Sequence, residues 1–320
     1  MGHFVHEKAI CDSNRIGDGT NIWAFAHVLP GAIIGNNCNI CDGVFIENDA
    51  IIGNDCTIQC GVQLGEGVHL EDRVVVGPNV TFTNDLYPRS RIEPSTLSKT
   101  VIRSGVSIGA NATILPGIEL GENCLIGAGA LVNVSVPPNA VVVGNPCRIV
   151  RFAETEILTD LASRDWQGKP SIQLANEMDI HLYRFASFTD RRGTLTVVDH
   201  DSTLPFAPRR MFTIQDVPEG LFRGNHAHKQ CHQLLICLKG SCSVHLDDGK
   251  SRMSVLLDSN TLGLHIPPRT WGVQYHFSSD AVLQVLASAP YDTKDYISCY
   301  AEFLAYAQQA RESSQSHPSR

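Results

Sequence analysis

The chain of 320 residues carries 25 Lys and Arg against 33 Asp and Glu, a net charge of -8 that excludes the basic surface of a nucleic-acid-binding protein. Hydrophobic residues make up 43 % and charged residues 18 %, the balance of a globular rather than a disordered chain. No apolar run approaches the roughly 18–20 residues of a membrane span, and Met1–Lys8 lacks the apolar centre of a signal peptide. The expected compartment is therefore the cytoplasm, with the eleven cysteines as reduced, structural thiols rather than metal or redox groups. The length is that of two domains.

The first half is governed by a repeat. From Ile16, every sixth residue through Phe82 is apolar: Ile22, Val28, Ile34, Ile40, Ile46, Ile52, Ile58, Leu64, Leu70 and Val76 lie between. The register breaks and resumes at Ile102, Ile108, Ile114, Leu120, Ile126 and Val132. Four residues after nearly every one stands a small or β-branched side chain, such as Ala26, Cys38, Val44, Val62, Ala112 or Ala130. Neither a helical nor an alternating period fits. A six-residue period fits when each hexapeptide forms a short strand and a turn, and three of them close a triangular coil of 18 residues. The expected fold of residues 1–150 is thus a parallel β-helix of six coils. Its only coil histidines, His27 and His69, fall on different faces, so no metal site is expected there.

These hexapeptides, with the closing segment Val141-Val-Val-Gly-Asn-Pro-Cys-Arg148, resemble the left-handed β-helix acyltransferases. The resemblance implies trimers with acyl-CoA bound between neighbouring helices, and it places acetyl-CoA against Ala110, Ala128, Pro146 and Arg148. Residues 83–101 break the repeat and must loop out, and a polar loop on a rigid shaft is a natural substrate site. Phe82-Thr-Asn-Asp-Leu-Tyr-Pro-Arg89 and Ile22-Trp-Ala-Phe-Ala-His27 are similar to segments of the nucleotide-sugar N-acetyltransferases. By that resemblance Asn84 and Asp85 orient a sugar amine and Arg89 lies near the acceptor. The proton released on acetyl transfer goes either to Asp85 or to the leaving CoA thiolate.

Residues 151–176 read as a linker, with a short helix from Ala153 to Arg164 ended by Gly168-Lys-Pro. From 177 to 320 the pattern changes to short alternating strands, among them Gln233–Leu238, Ser241–Leu246 and Ala281–Ala287, separated by turns such as Asp247-Asp-Gly249. This predicts a sandwich or barrel, followed by a helix from Tyr300 to Ala310 and a polar tail. The fold class as a whole is all-β with short helices at the linker and the C-terminus.

Gly220-x5-His226-x-His228-x4-Gln233-x6-Gly240 resembles the first motif of the cupin jelly rolls, with Gln233 where glutamate is usual. Spacing by two turns both histidines to one face of a strand. In many cupins they bind a metal with that glutamate and a histidine of a second motif. Here the segment Gly263–Gly272 offers none at the ligand position, so no metal is expected, and the pair suits proton transfer instead. Arg223-Gly-Asn-His-Ala-His-Lys229, with Asp190-Arg-Arg-Gly-Thr194, Leu256-Leu-Asp258 and Ile266-Pro-Pro-x-x-Trp271, is similar to the sugar-nucleotide 3,4-ketoisomerases. The resemblance implies action on dTDP-4-keto-6-deoxyglucose, with His228 as the base at C3 and His226 polarising or reprotonating the enediol. It implies contacts from Arg192, Arg223, Lys229, Arg210 and Trp271 to the pyrophosphate and sugar, and Arg192 resembles the galacto-product class. The tyrosines that relatives carry in the strand matching Arg210–Ile214 are missing.

Together the halves resemble the fused ketoisomerase/N-acetyltransferases of bacterial surface-polysaccharide (O-antigen) synthesis. That implies the first and third steps of a path to a dTDP-3-acetamido-3,6-dideoxyhexose, a separate PLP aminotransferase for the middle step, and a hexamer of trimeric β-helices and paired cupins. The alternative is an N-acetyltransferase whose cupin senses a sugar nucleotide without catalysis.

Overall fold

The computed structural model describes residues 2–92, 98–175, 178–199 and 203–315. The chain divides into two compact units, Met1–Ala153 and Glu154–Arg320.

The first unit is a three-faced parallel β-solenoid. Each face of a coil contributes a strand of two residues, as in Asn21–Ile22, His27–Val28 and Ile33–Ile34. The second residue of each strand points inward because side chains alternate across a strand. Each strand pairs in parallel with its counterpart one coil on, so Ile22 stacks on Ile40 and Ile40 on Ile58. That column continues through Val76, Ile108 and Ile126, all essentially inaccessible. The corners are filled by the second repeat position, Ala26, Val44, Val62, Val80, Ala112 and Ala130. Cys38, Cys56 and Cys124 occupy the equivalent column at another corner and act as small fillers. Coils stack too closely for a side chain at some turns: a Cβ on Gly109 would stand 2.5 Å from the Ala128 backbone nitrogen.

The repeat is interrupted where expected. The chain leaves the shaft after Thr81–Phe82 and re-enters at Thr100–Ile102, which pairs Val68 with Thr100 and Leu70 with Ile102 across the insertion. At the far end, Ala140–Val143 turns back through Gly144–Cys147 into Arg148–Phe152, an antiparallel strand that closes the first sheet.

The second unit packs two six-stranded sheets face to face. One runs in the order 157–158, 252–257, 242–247, 271–275, 223–228 and 296–297, and the other 171–175, 178–184, 262–266, 233–239, 282–287 and 210–215. Ile180, Leu182, Leu235, Val244, Leu246, Val255, Leu264, Leu283 and Val285 fill the core between them. The linker helix expected from Ala153 to Arg164 does not form. Ile157–Leu158 instead pairs in parallel with Arg252–Leu257, and only a single 3-10 turn, Leu161–Ser163, follows. Asp160 takes φ +52°, which ends any helix, and Leu161 and Trp166 are drawn into the core of the second unit. The one α-helix among the described residues, α1 (Tyr300–Gln315), runs beyond the expected Ala310. It docks through Phe303 and Tyr300 against Trp271, and Tyr300 Oη donates to Asp247 Oδ2 at 2.5 Å.

Candidate active sites

In the second unit, strand Arg223–His228 carries a register shift between Gly224 and His226. Gly224 has φ +82°, and a Cβ there would meet the Gly272 carbonyl oxygen at 2.6 Å and the Gln274 side chain, so no larger residue fits the bend. The bend aims His226 and His228 into the barrel with ring centroids 5.1 Å apart. His226 borders a cavity of about 380 Å³ with Thr213, Arg223, Gln233, Gln274 and Tyr296. His228, 6 % exposed, lies in a small adjoining pocket with Cys231, and His226, Gln233 and Gln274 line both.

Three groups hold His228. Its Nδ1 faces Asp295 Oδ2 at 2.8 Å, and its Nε2 faces the Gln233 side-chain amide at 3.1 Å. The Tyr296 ring lies 4.4 Å from its ring and 4.8 Å from that of His226. Asp295 is itself fixed, because Gln230 N–H donates to Oδ1 at 2.8 Å and Cys231 N–H to Oδ2 at 3.3 Å. Burial pushes both imidazoles below their ordinary value. At His228 the Asp295 carboxylate works against that shift, and at both the Arg210 charge adds to it. A neutral imidazole whose Nδ1–H is held by a carboxylate carries its lone pair on Nε2, which here accepts from the Gln233 amide and acts as a base once that amide swings aside.

The remaining predicted residues divide. Arg223 lines the cavity, and Arg210 stands beside it, its guanidinium over Phe212 and Tyr291 and its Nε buried without a partner. Lys229 does not reach the cavity; its Nζ donates to the Lys294 carbonyl and so tethers the turn that carries Asp295. Arg192 sits at the tip of the exposed hairpin Ala186–Asp190/Gly193–Val197, paired with Asp190 at 2.6 Å, and lines no part of the cavity. Trp271 is a correction of the same kind. Strand alternation sends Gly272 and Gln274 toward the site and Trp271 to the opposite face, where it packs under α1. Asp295, Gln274 and Tyr296 escaped the sequence reading. Tyr296, from a different strand, is a tyrosine that lines the cavity, its ring against those of His226 and His228.

The cupin ligand set is not assembled. Gln233 turns its amide toward His228, and His265 points out of the barrel because Leu264 and Ile266 take the inward positions. Its Nε2 meets His232 Nδ1 at 3.0 Å, and burial pushes it down to about 4.

In the first unit, Asn84 and Asp85 open the inserted loop at the edge between the second and third faces. Asn84 Nδ2 lies 3.3 Å, and Glu47 Oε2 3.5 Å, from where a Cβ on Gly65 would stand. Asp85 Oδ1 accepts from the Tyr87 amide at 2.8 Å, and Arg89 is exposed. Ala110 and Ala128 stack on successive coils at the other edge of the second face, where Gly129 N–H donates to the Ala110 carbonyl and Leu131 N–H to that of Gly144. Pro146 and Arg148 follow on the exposed closing hairpin. Within one chain the amine-orienting and CoA-binding candidates therefore occupy different edges. His27 and His69 lie on different faces, as the spacing requires.

Residues 178–308 match the family described as FdtA: WxcM-like, C-terminal, and residues 15–48, 49–84 and 99–134 match the bacterial transferase hexapeptide (six repeats). A TDP-4-oxo-6-deoxy-alpha-D-glucose-3,4-oxoisomerase of Aneurinibacillus thermoaerophilus is 41 % identical over 40 % of this chain and 93 % of its own length. A dTDP-3-amino-3,6-dideoxy-alpha-D-galactopyranose 3-N-acetyltransferase of the same organism is 50 % identical over 46 % of this chain and 76 % of its own. The chain belongs to both families, the 3,4-ketoisomerases and the hexapeptide N-acetyltransferases. A solved 3,4-ketoisomerase from Helicobacter canadensis is 37 % identical, covers 41 % of this chain and 98 % of its own, and superposes with a TM-score of 0.40. The ketoisomerase likeness falls on the unit that holds His226 and His228, and the acetyltransferase likeness on the unit that holds Asn84 and the stacked alanines. Among the described residues, no helix is long and apolar enough to cross a membrane.

Proposed function

We propose that this ketoisomerase/N-acetyltransferase acts on one sugar nucleotide twice, at residues 177–320 and then at residues 1–150, with 151–176 as the connection. The first substrate is dTDP-4-keto-6-deoxyglucose. The C4 ketone acidifies the C3 hydrogen, and His228 Nε2 takes that proton while Asp295 holds Nδ1–H and stabilises the imidazolium. The electron pair of the C3–H bond forms the C3–C4 double bond, and the O3 proton passes to O4. His226, carrying a proton taken up from solvent, delivers it to C4 as O3 becomes the new ketone, and His228 releases the C3 proton to solvent, which restores both imidazoles. Arg223, with Arg210 behind it, draws the pyrophosphate and the enediolate oxygens. No step uses a metal.

A separate PLP aminotransferase then converts the C3 ketone to an amine. Asn84 and Asp85 orient that amine against acetyl-CoA held along Ala110, Ala128, Pro146 and Arg148. The product is a dTDP-3-acetamido-3,6-dideoxyhexose destined for bacterial surface polysaccharide and made in the cytoplasm. Its galacto configuration rests on the relative that acts on the galactopyranose, since Arg192 stands away from the cavity. The donor and acceptor candidates lie on different edges of one solenoid, which favours solenoid trimers, joined through paired barrels into a hexamer.

The observation that carries the reading is the His228–Asp295 pair, its imidazole buried, next to a cavity lined by His226 and Arg223. Incubation of the full chain with dTDP-4-keto-6-deoxyglucose in heavy water, followed by NMR, should show solvent deuterium in the sugar ring and the ketone moved to C3. Addition of an aminotransferase, an amino donor and acetyl-CoA should then give the acetamido sugar. Acetylation of the amino sugar without any deuterium entry would make the second unit a sensor and overturn the isomerase half.

A further inference from the structure

Cys231 has no part in the chemistry above, yet it lines the small pocket that holds His228, next to the isomerase cavity. One imidazole nitrogen of His228, Cys231 Sγ and a carboxylate oxygen of Asp295 all stand within 4.8 Å of one another, and His228 and Cys231 are buried. The thiol makes only weak contacts, donating to the His232 carbonyl at 3.4 Å and accepting from Ser288 Oγ at 3.9 Å. Nothing in the packing demands sulfur at this position. A thiolate, an imidazole and a carboxylate on one small concavity form the donor set of a soft or borderline divalent cation, above all zinc, and not of magnesium or calcium.

We propose that His228, Cys231 and Asp295 form an inhibitory zinc site that switches off ketoisomerisation and leaves acetyl transfer untouched. The inference takes the role of His228 from the function proposed above. It is distinct from the cupin arrangement, because it uses neither His226 nor position 233. Zinc bonds of about 2.0–2.2 Å to nitrogen and oxygen require an N···O separation of roughly 3.3 Å. The present 2.8 Å contact therefore opens by only a few tenths of an ångström. The thiol gives its proton to solvent. The proton on His228 Nδ1 moves to Nε2, where Gln233, with its amide turned, accepts it through Oε1. His228 is then metal-bound on one nitrogen and protonated on the other, with no lone pair left for the C3 hydrogen. The isomerase cavity adjoins this pocket, since His226, Gln233 and Gln274 border both.

The full chain, freed of metal by a chelator, is titrated with zinc chloride while deuterium entry and acetyl transfer are followed in parallel. Deuterium entry should fall with one zinc per chain and return on chelation, and acetyl transfer should not change. Cys231→Ser, with its rate referred to its own metal-free rate, should need at least ten times more zinc for half-inhibition. Cobalt chloride supplies a readout independent of activity: the parent should show a cobalt–thiolate charge-transfer band that Cys231→Ser lacks. Cys231→Ala, with its folding checked by acetyl transfer and circular dichroism, repeats the test should the serine variant fold poorly. Equal zinc sensitivity of the parent and both variants, or a cobalt band that survives in both, overturns the proposal. If the parent shows no isomerase activity, the function proposed above fails and the cobalt spectra alone decide this one.

Discussion

In the solenoid a side chain meets its neighbour 18 residues away, as Asn36 meets Asn54, whereas in the barrel His228 meets its carboxylate 67 residues downstream. The solenoid's architecture is thus a local rule repeated, and its candidate chemistry arises where the rule is broken, at the loop that begins with Asn84. The barrel's chemistry arises from strands that meet only when the whole unit has folded. A repeat places groups by translation along one axis, while a sandwich brings them together from distant parts of the chain. Damage to the two should differ accordingly.

The sharpest test of that contrast is His228→Asn. Removing the base should lower deuterium entry by about 10³-fold, within the range for general acid–base groups, and leave acetyl transfer as it was. A parallel fall in acetyl transfer would show that the two units do not act independently. Asp295→Asn comes next, with a loss of about 10²-fold, since a carboxylate that orients a catalytic imidazole is worth at least that. Its pH profile gives the sign. The Asp295 carboxylate raises the His228 pKa against burial, so its removal lets burial depress His228 further. The acidic limb of kcat/KM should then move to lower pH, and an unmoved limb would mean that Asp295 serves only the fold.

Ile58→Ala probes the shaft. Removing a fully buried aliphatic side chain from the stack should cost about 2–5 kcal/mol, seen as a fall in the thermal midpoint of the first unit with isomerase activity retained. Asp85→Asn should reduce acetyl transfer about tenfold, at the low end for a group that orients or deprotonates an amine, with no effect on deuterium entry. The smallest effect is expected from Trp271→Phe. The indole Nε1 is buried without a partner, so its loss should leave kcat/KM unchanged. A fall of an order of magnitude would return Trp271 to the substrate site.

The same contrast governs what could be read from the sequence. The solenoid was legible nearly residue by residue, because one period fixes which side chain points inward and where a turn must fall. The break at 83–101 was legible for the same reason. In the barrel, the His226/His228 pair was visible because both lie on one strand, two residues apart. Asp295 was not, because it is an acidic residue in an ordinary turn and gains meaning only when strand Arg223–His228 pairs with Tyr296–Ile297. Trp271 and Lys229 were misplaced because proximity to a motif in sequence does not say which face of a strand a side chain takes. The linker helix was misjudged because its apolar residues, Leu158, Leu161 and Trp166, fit an amphipathic turn as well as they fit a strand edge and a core plug.

The antiparallel strand Arg148–Phe152 has a further consequence. A stack of parallel coils ends in a row of unpaired amide and carbonyl groups, a template on which another chain can add and grow into a fibre. Here the last strand of the first face is already paired, Val142 with Ile149 and Val143 with Arg148. The reversal of direction also denies a newcomer the parallel register that the coils would extend. The solenoid thus carries its own end-stop, and a chain truncated before Cys147 should polymerise.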